Sequence, residues 1–390
     1  MIQPAERLNK VSEYYFSRKL KEVARLNAEG KDIISLAIGS PDMPPSDQTV
    51  KKLCEVAHDP SAHGYQPTMG TPELRHAMAA FYKRWYGVEL DPDKEVLPLI
   101  GSKEGILHVT LAFVNPGEYV LVPNPGYPTY TSLTKLLGVE PVTYELEEEN
   151  GWQPDFSQLE QIMKYASKPT RLLWVNYPHM PTGAPACMKT YEQLVDFARR
   201  HNLVVVNDNP YSFILNEDRP LSILQVPGAK DCCIELNSMS KSHNMPGWRV
   251  GLCASNPEFI SWILKVQSNI ESGTFRGIQL AAAEAYNNSD EWHHEANVDT
   301  YARRRKLAEE IMRTLGCTFD KQQVGMFLWG KIPSAYKNAE ELTERVLNEA
   351  RVFITPGFIF GRNGQRYIRI SLCAKEEKIE QALERIRKTI

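Results

Sequence analysis

The stretch Ser238-Met239-Ser240-Lys241-Ser242-His243-Asn244-Met245-Pro246-Gly247-Trp248-Arg249 follows the apolar run Cys232-Cys233-Ile234-Glu235-Leu236, which reads as a short buried strand. One lysine is thus set among hydroxyls at the mouth of a strand, with an arginine eight residues on. An ammonium group becomes a useful nucleophile where desolvation or a nearby cation lowers its pKa. A lysine flanked by hydroxyl donors and a cation suits a covalent imine beside a bound phosphate. Alone, Ser-x-Ser-Lys is an ordinary loop and most lysines are solvated, so the reading depends on the rest of the chain.

Outward from this stretch, strand-like and helix-like segments alternate. Glu118–Pro123, Arg171–Asn176, Leu203–Asp208 and Arg249–Ala254 are short apolar runs with polar ends, and Thr190–His201 between them has helical periodicity. A helix is predicted to open at Lys103, just after Gly101-Ser102, and to close at Asn115-Pro116-Gly117. Nearly all-apolar strands separated by helices imply an α/β fold whose mainly parallel sheet is covered on both faces. After Ser255 the pattern turns helical to residue 316, and Tyr301–Thr314 reads as a solvated helix face. Strands near Met326–Trp329 and Tyr367–Ser371, with helices at 338–350 and 375–390, predict a small α+β domain. The expected division is a large domain over 47–285 and a small one made of 1–46 and 286–390.

Composition is that of an ordinary globular enzyme: 390 residues, 42% hydrophobic, 24% charged, net charge −3. The near-neutral balance gives no electrostatic case for nucleic acid or an anionic membrane, and no apolar run reaches the roughly 20 residues of a membrane span. The N-terminus lacks a basic-then-apolar signal, and seven scattered cysteines without Cys-x-x-Cys imply a reducing, cytoplasmic setting with neither disulfide framework nor metal site.

In parallel sheets, ligands sit beyond the carboxyl ends of strands. Asn176, Asp208, Ser238–Lys241 and the Tyr127 loop all fall there. A carboxylate at the end of the buried run Val204-Val205-Val206 is costly unless it meets a cation. With Tyr211 three residues on, and Lys241 and Arg249 behind, the order resembles the fold-type I pyridoxal-phosphate enzymes, and more narrowly the class I/II aminotransferases. The resemblance covers nearly the whole chain. It rests on Gly39-Ser-Pro-Asp42, Tyr65-x-Pro-x-x-Gly70, Gly101-Ser-Lys-Glu-Gly105, Pro125-Gly-Tyr-Pro128, Pro181-Thr-Gly183, Asp208-x-x-Tyr211, Ser238-x-Ser-Lys241, Gly247-Trp-Arg249 and Arg369, in that order.

The resemblance implies pyridoxal 5'-phosphate as cofactor and assigns roles. Lys241 would hold the cofactor aldehyde and shuttle a proton. Asp208 would face the pyridine nitrogen, Tyr211 the phenolic oxygen, and Tyr127 would stack on the ring. Asn176 belongs to the same cofactor set. Gly101, Ser102 and Lys103 open a helix whose N–H groups and dipole favour the phosphate, with Ser238, Ser240 and Arg249 completing the cup. Arg369 and the Gly39 backbone would take the substrate carboxylate. Tyr65 would reach the phosphate of a neighbouring subunit, implying a homodimer with shared sites.

One departure stands out. The family carries Asn-Pro-Thr-Gly where this chain has Met180-Pro181-Thr182-Gly183, and a thioether donates no hydrogen bond. Either Tyr211 supports the phenolic oxygen alone, or His179, Asn207 or Asn209 substitutes, or Met180 simply packs at the cofactor edge. Glu95–Gly105, Phe113–Gly117 and Asn269–Gly273 are similar to the LL-diaminopimelate and aspartate aminotransferase branches. That similarity implies an amino acid as donor and a 2-oxo acid, 2-oxoglutarate, as acceptor. Arg276, where such relatives often have a neutral residue, is read as a surface arginine, with a second acidic substrate group as the other reading. A β C–S lyase on the same fold is the main rival. A non-catalytic regulator is a more distant one, since the residues before Asp42 leave no room for a basic DNA-binding segment.

Overall fold

The computed structural model describes residues 2–11, 15–216, 219–288 and 290–390. Its strands are β1 Ile34–Ser35, β2 Val96–Leu99, β3 Tyr119–Asn124, β4 Glu140–Glu145, β5 Thr170–Val175, β6 Val204–Asp208, β7 Cys233–Ser238, β8 Gly251–Ala254, β9 Phe327–Lys331, β10 Val352–Phe353, β11 Thr355–Pro356 and β12 Tyr367–Ser371. Seven of them form one sheet in the order β2-β8-β7-β6-β5-β3-β4. Every neighbouring pair there is parallel except those made by β8, which runs antiparallel to both β7 and β2.

The apolar runs bury both faces because side chains alternate across a strand. Val204, Val206, Ile234 and Leu236 pack on one side with Ile106 and Val109 of the helix Ser102–Phe113. Val205 and Cys233 pack on the other with Tyr82, Tyr191 and Leu194. The predicted helices lie within one or two residues of the observed Ser102–Phe113 and Met188–His201. β2 and β4 complete the sheet beyond the strands read from the sequence.

The reversed strand corrects one sequence reading. Arg249 does not begin a strand; β8 starts at Gly251, and Arg249 caps a short turn in the left-handed region at φ 57°. Gly251 is registered with both Ser238 and Leu99. Hence Arg249, two residues before Gly251, arrives at the edge formed by the carboxyl ends of β7 and β2. Reversal, not proximity in sequence, brings the arginine to the lysine's side.

A second sheet, β11-β12-β9, is antiparallel throughout, and β1 pairs with β10 in a separate parallel ribbon. Phe16, Leu20, Val23 and Ile33 pack with Leu347 and Phe353 around that ribbon, whereas the turn Glu6–Lys10 lies against the helix Pro128–Leu136. The segment Leu36–Gly39 then crosses between the sheets. The Leu36 carbonyl accepts from Ser371 N–H at 2.8 Å and the Ile38 carbonyl from Ser371 Oγ at 2.7 Å.

Tyr301–Thr314 is a helix, but not only a solvated face. Arg304 is buried, clasping Asp42 through Nη1 at 2.7 Å and Nη2 at 3.0 Å and donating to the Leu372 carbonyl at 3.1 Å. It ties the start of the chain to β12's exit. A buried, charge-assisted arginine of this kind is costly to truncate, because its partners stay behind unpaired. We expect Arg304→Leu to lower stability by about 2–3 kcal/mol. Arg303→Leu, which removes the exposed pair with Glu376 at 2.9 Å, should cost less than about 1 kcal/mol. Chemical denaturation of the two variants side by side checks the contrast.

Candidate active site

The carboxyl ends of β2, β3, β5, β6 and β7 open on one cleft of about 380 Å³. Of the sequence-predicted residues, Gly39, Ser102, Lys103, Tyr127, Asn176, Asp208, Tyr211, Ser238, Ser240, Lys241, Arg249 and Arg369 line it. Gly101 stands immediately behind: a Cβ there would collide with the Arg249 guanidinium, so only glycine lets the arginine lie against the helix entrance. Tyr65 is not brought in; it is 95% exposed, next to the bridge Gln66–Gly273.

Asp208 ends β6 fully buried, and no cation pairs with it among the described residues. Its Oδ2 accepts from the Tyr130 hydroxyl at 2.9 Å, and Oδ1 is buried without a hydrogen-bond partner. Burial pushes its pKa up to about 6, which the Tyr130 and Ser102 hydroxyls offset only in part. Asn176, buried at the end of β5, donates to the Asp208 carbonyl and accepts from Met180 N–H at 2.9 Å. Its side chain thereby holds the backbone of both Asp208 and Met180. Tyr130 was not found from the sequence. Its one signal is its position a turn after Tyr127, against which its ring packs edge-on at 5.6 Å; on its other side it stacks on Trp174 at 5.1 Å.

Lys241 lies on the short helix Met239–Ser242, whose N-cap Ser238 accepts from Ser240 N–H at 3.2 Å. Its amine donates to the Gly39 carbonyl. Burial lowers its pKa, and the Arg369 and Arg249 charges push the same way. A neutral amine is the nucleophilic form. Arg249 donates to Ser240 Oγ at 3.4 Å, the Pro246 carbonyl at 2.9 Å and the Ile100 carbonyl at 3.3 Å. This fixes a cation beside the helix start at Ser102, where backbone N–H groups are unpaired within the helix.

Arg369 projects from β12 between two rings, its Cζ 3.8 Å from the Phe327 centroid and 4.6 Å from that of Phe360. Nη2 donates to the Ala37 carbonyl at 3.0 Å and Nη1 meets Met180 Sδ at 3.3 Å. Phe327, Phe360 and Met180 are thus part of the site, and neither phenylalanine was singled out in the sequence. Gly39 lines the cleft, and its carbonyl accepts from the Lys241 amine.

The candidate substitutes for the family asparagine face elsewhere. His179 is held by Thr182 Oγ1 at 2.8 Å. Asn207 is engaged by Tyr191, Glu235 and the Tyr177 N–H. Asn209 donates to the Leu221 carbonyl at 3.1 Å and accepts from Ser212. None lines the cleft, whereas Met180 does. Arg276 lies outside it too, 3.7 Å from Glu73.

Residues 31–386 match the family model for aminotransferase class I and II. The chain belongs to that aminotransferase family. Over 98% of its length it is 40% identical to an LL-diaminopimelate aminotransferase of Dehalococcoides mccartyi, covering 97% of that protein. It is also 40% identical to the LL-diaminopimelate aminotransferase of Aquifex aeolicus, over 99% of both chains. Among solved structures, substrate-bound BacF from Bacillus subtilis superposes with a TM-score of 0.92 at 35% identity, covering 100% of this chain and 98% of that one. Thermus thermophilus aspartate aminotransferase with maleate superposes at 0.91 and 26% identity over 100% of both. This aminotransferase is therefore a pyridoxal-phosphate enzyme acting on amino-acid and 2-oxo-acid substrates.

The cleft fits that cofactor on its own features: a buried carboxylate oxygen awaiting a donor, a desolvated amine, and an arginine against a glycine-opened helix start. The aminotransferase carries this carboxylate at a stability cost when no cofactor is bound. The pKa of Asp208 is raised above the unfolded carboxyl value. Its contribution to stability is thus intact below about pH 4 and lost as pH rises through about 6. We expect Asp208→Asn to raise the melting temperature of the cofactor-free protein at pH 8 and to leave it nearly unchanged near pH 4. Calorimetry across that range checks the sign.

Proposed function

We propose that this aminotransferase takes its amino group from an L-amino acid, with LL-diaminopimelate and aspartate as the first candidates, and passes it to 2-oxoglutarate by a ping-pong mechanism. The observation that carries the site assignment is the placement of Lys241 and the unpartnered Asp208 oxygen in one cleft, both with pKa values shifted by burial. Bound pyridoxal phosphate supplies an electron sink for the pair released when the substrate's Cα–H bond breaks.

The chain's residues do the rest. Lys241 Nζ would hold the cofactor through its aldehyde carbon and, once freed, would serve as the base that takes the substrate Cα proton and delivers it to the carbon on the far side of the nitrogen. Asp208, with Oδ1 unpartnered, would face the pyridine nitrogen and, as a carboxylate, would favour its protonated form. Tyr211 donates to the phenolic oxygen, and Tyr127 covers the ring. Gly101, Ser102, Lys103, Ser238, Ser240 and Arg249 hold the phosphate. Arg369, flattened between Phe327 and Phe360, presents a fork to the substrate carboxylate. Asn176 acts on the cofactor by holding the Asp208 and Met180 backbones.

The exposed Tyr65 fits a shared-site homodimer, in which it reaches the phosphate of a second copy. A cytoplasmic setting is proposed with it; no helix among the described residues is long and apolar enough to cross a membrane. The division into 47–285 and 1–46 with 286–390 is proposed on the same footing, as two units meeting at the cleft.

The relatives named LL-diaminopimelate aminotransferase support the donor proposal. A half-reaction screen over LL-diaminopimelate, aspartate, glutamate and aromatic amino acids, without oxo acid, tests it by loss of the visible cofactor band. We expect stoichiometric conversion to the amine form with LL-diaminopimelate or aspartate. Release of pyruvate and ammonia would mark a lyase. Met180 gives a second test. A thioether leaves the phenolic oxygen one donor short, which favours its protonated partner and raises the midpoint of the visible titration. Met180→Asn should lower that midpoint, and an unmoved midpoint would assign Met180 to packing alone.

A further inference from the structure

Directly after Lys241 the chain carries Ser242 and His243, both buried, and neither enters the chemistry described above. His243 Nε2 lies 3.0 Å from Nε2 of His293, a buried residue of the helix Asp290–His294. His293 Nδ1 lies 2.8 Å from Asn297 Nδ2, which also donates to the Ser242 carbonyl at 2.7 Å. His243 Nδ1 is 2.8 Å from Ser242 Oγ, and Ser242 Oγ is 3.2 Å from the Ser238 carbonyl.

One arrangement of hydrogens satisfies all five contacts at once, with the Ser242 carbonyl, which also faces His293, taken by Asn297. A carbonyl only accepts, so the Asn297 atom facing Ser242 is its amide nitrogen. The second hydrogen of that nitrogen points to His293 Nδ1, which must accept. A neutral imidazole accepting at Nδ1 carries its hydrogen on Nε2 and donates it to His243 Nε2. His243 then carries its hydrogen on Nδ1 and donates to Ser242 Oγ, whose own hydrogen goes to the Ser238 carbonyl. Burial keeps both rings neutral, holding His243 well below the usual histidine range and His293 down at about 3. The wall is aromatic, with His243 facing Phe81, Tyr286 and Trp292. The charged group that bears on both rings is Arg84, which pushes their pKa values down and is itself paired with Asp290 at 3.2 Å.

The helix Met239–Ser242 is too short to hold itself, since one turn fixes several dihedrals for very few hydrogen bonds. Asn297 is anchored in turn: its carbonyl accepts from Leu215 N–H at 3.1 Å. We propose that Asn297, His293, His243 and Ser242 form a one-directional hydrogen-bond clasp that sets the position of the Lys241 turn, making His243 and His293 positioning residues of the transamination. The clasp rests on Lys241 being the amine-bearing residue.

Nitrogen NMR of the holoenzyme reads the tautomers: His243 should carry its hydrogen on Nδ1 and His293 on Nε2. His243 protonated on Nε2 would overturn the clasp. Kinetics read the positioning. His293→Leu breaks the chain and should lower kcat by about 10- to 100-fold, leave KM for the amino donor unchanged, and shift the midpoint of the visible titration. His293→Gln, which can accept from Asn297 and donate to His243, should restore most of both. A lowered melting temperature with kcat and midpoint unchanged would make the pair purely structural and sink the proposal. His243→Phe keeps the ring packing and gives the same reading if His293→Leu does not fold. Lys241→Ala, followed by mass of the reductively trapped cofactor, tests the underlying lysine assignment separately.

Discussion

A buried carboxylate with no cation paired to it among the described residues governs this structure. Asp208 is buried at the end of β6, held on one oxygen by Tyr130 and with the other unpartnered, and its carbonyl is held by Asn176. Desolvation makes that position unfavourable for a charge. The surrounding sheet supplies it all the same, because the strand ends on either side place Asn176 and the Lys241 turn at the same depth. The protein is arranged to be completed from outside.

The Arg249 end and the Arg369 end of the cleft are built on opposite principles. At one, Arg249 is held by carbonyl and hydroxyl oxygens. At the other, Arg369 lies against two aromatic rings and a thioether, surroundings that suit a weakly hydrated guanidinium. Both guanidiniums thus face the same cleft, each set in a different kind of surrounding.

Much of this was legible in the sequence because its signals are local. Lys241 with its hydroxyls, Asp208 after three valines, and the glycine before Ser102 each announce a strand end or a helix start within a few residues. What was not legible depends on contacts between distant segments. Tyr130 reaches Asp208 across 78 positions, and Phe327 meets Arg369 only through the register of β9 with β12. The antiparallel course of β8 was hidden for another reason: an apolar run of four residues reads the same in either direction. The Tyr301–Thr314 helix reads as solvated because its charge density masks the inward position of Arg304.

The crossing segment Leu36–Gly39 ties these parts together. Four successive carbonyls accept from β11, β12 and the Lys241 amine: Leu36 and Ile38 from Ser371, Ala37 from Arg369 and Thr355, Gly39 from Lys241. The two serine bonds are structural and stay. The bonds from Arg369 and Lys241 are made by the groups proposed to meet a carboxylate and an aldehyde. On those proposed roles, one strap of backbone keeps or loses its bonds to Arg369 and Lys241 according to what is bound. The strap's carbonyls at Ala37 and Gly39 then change partners with the contents of the cleft.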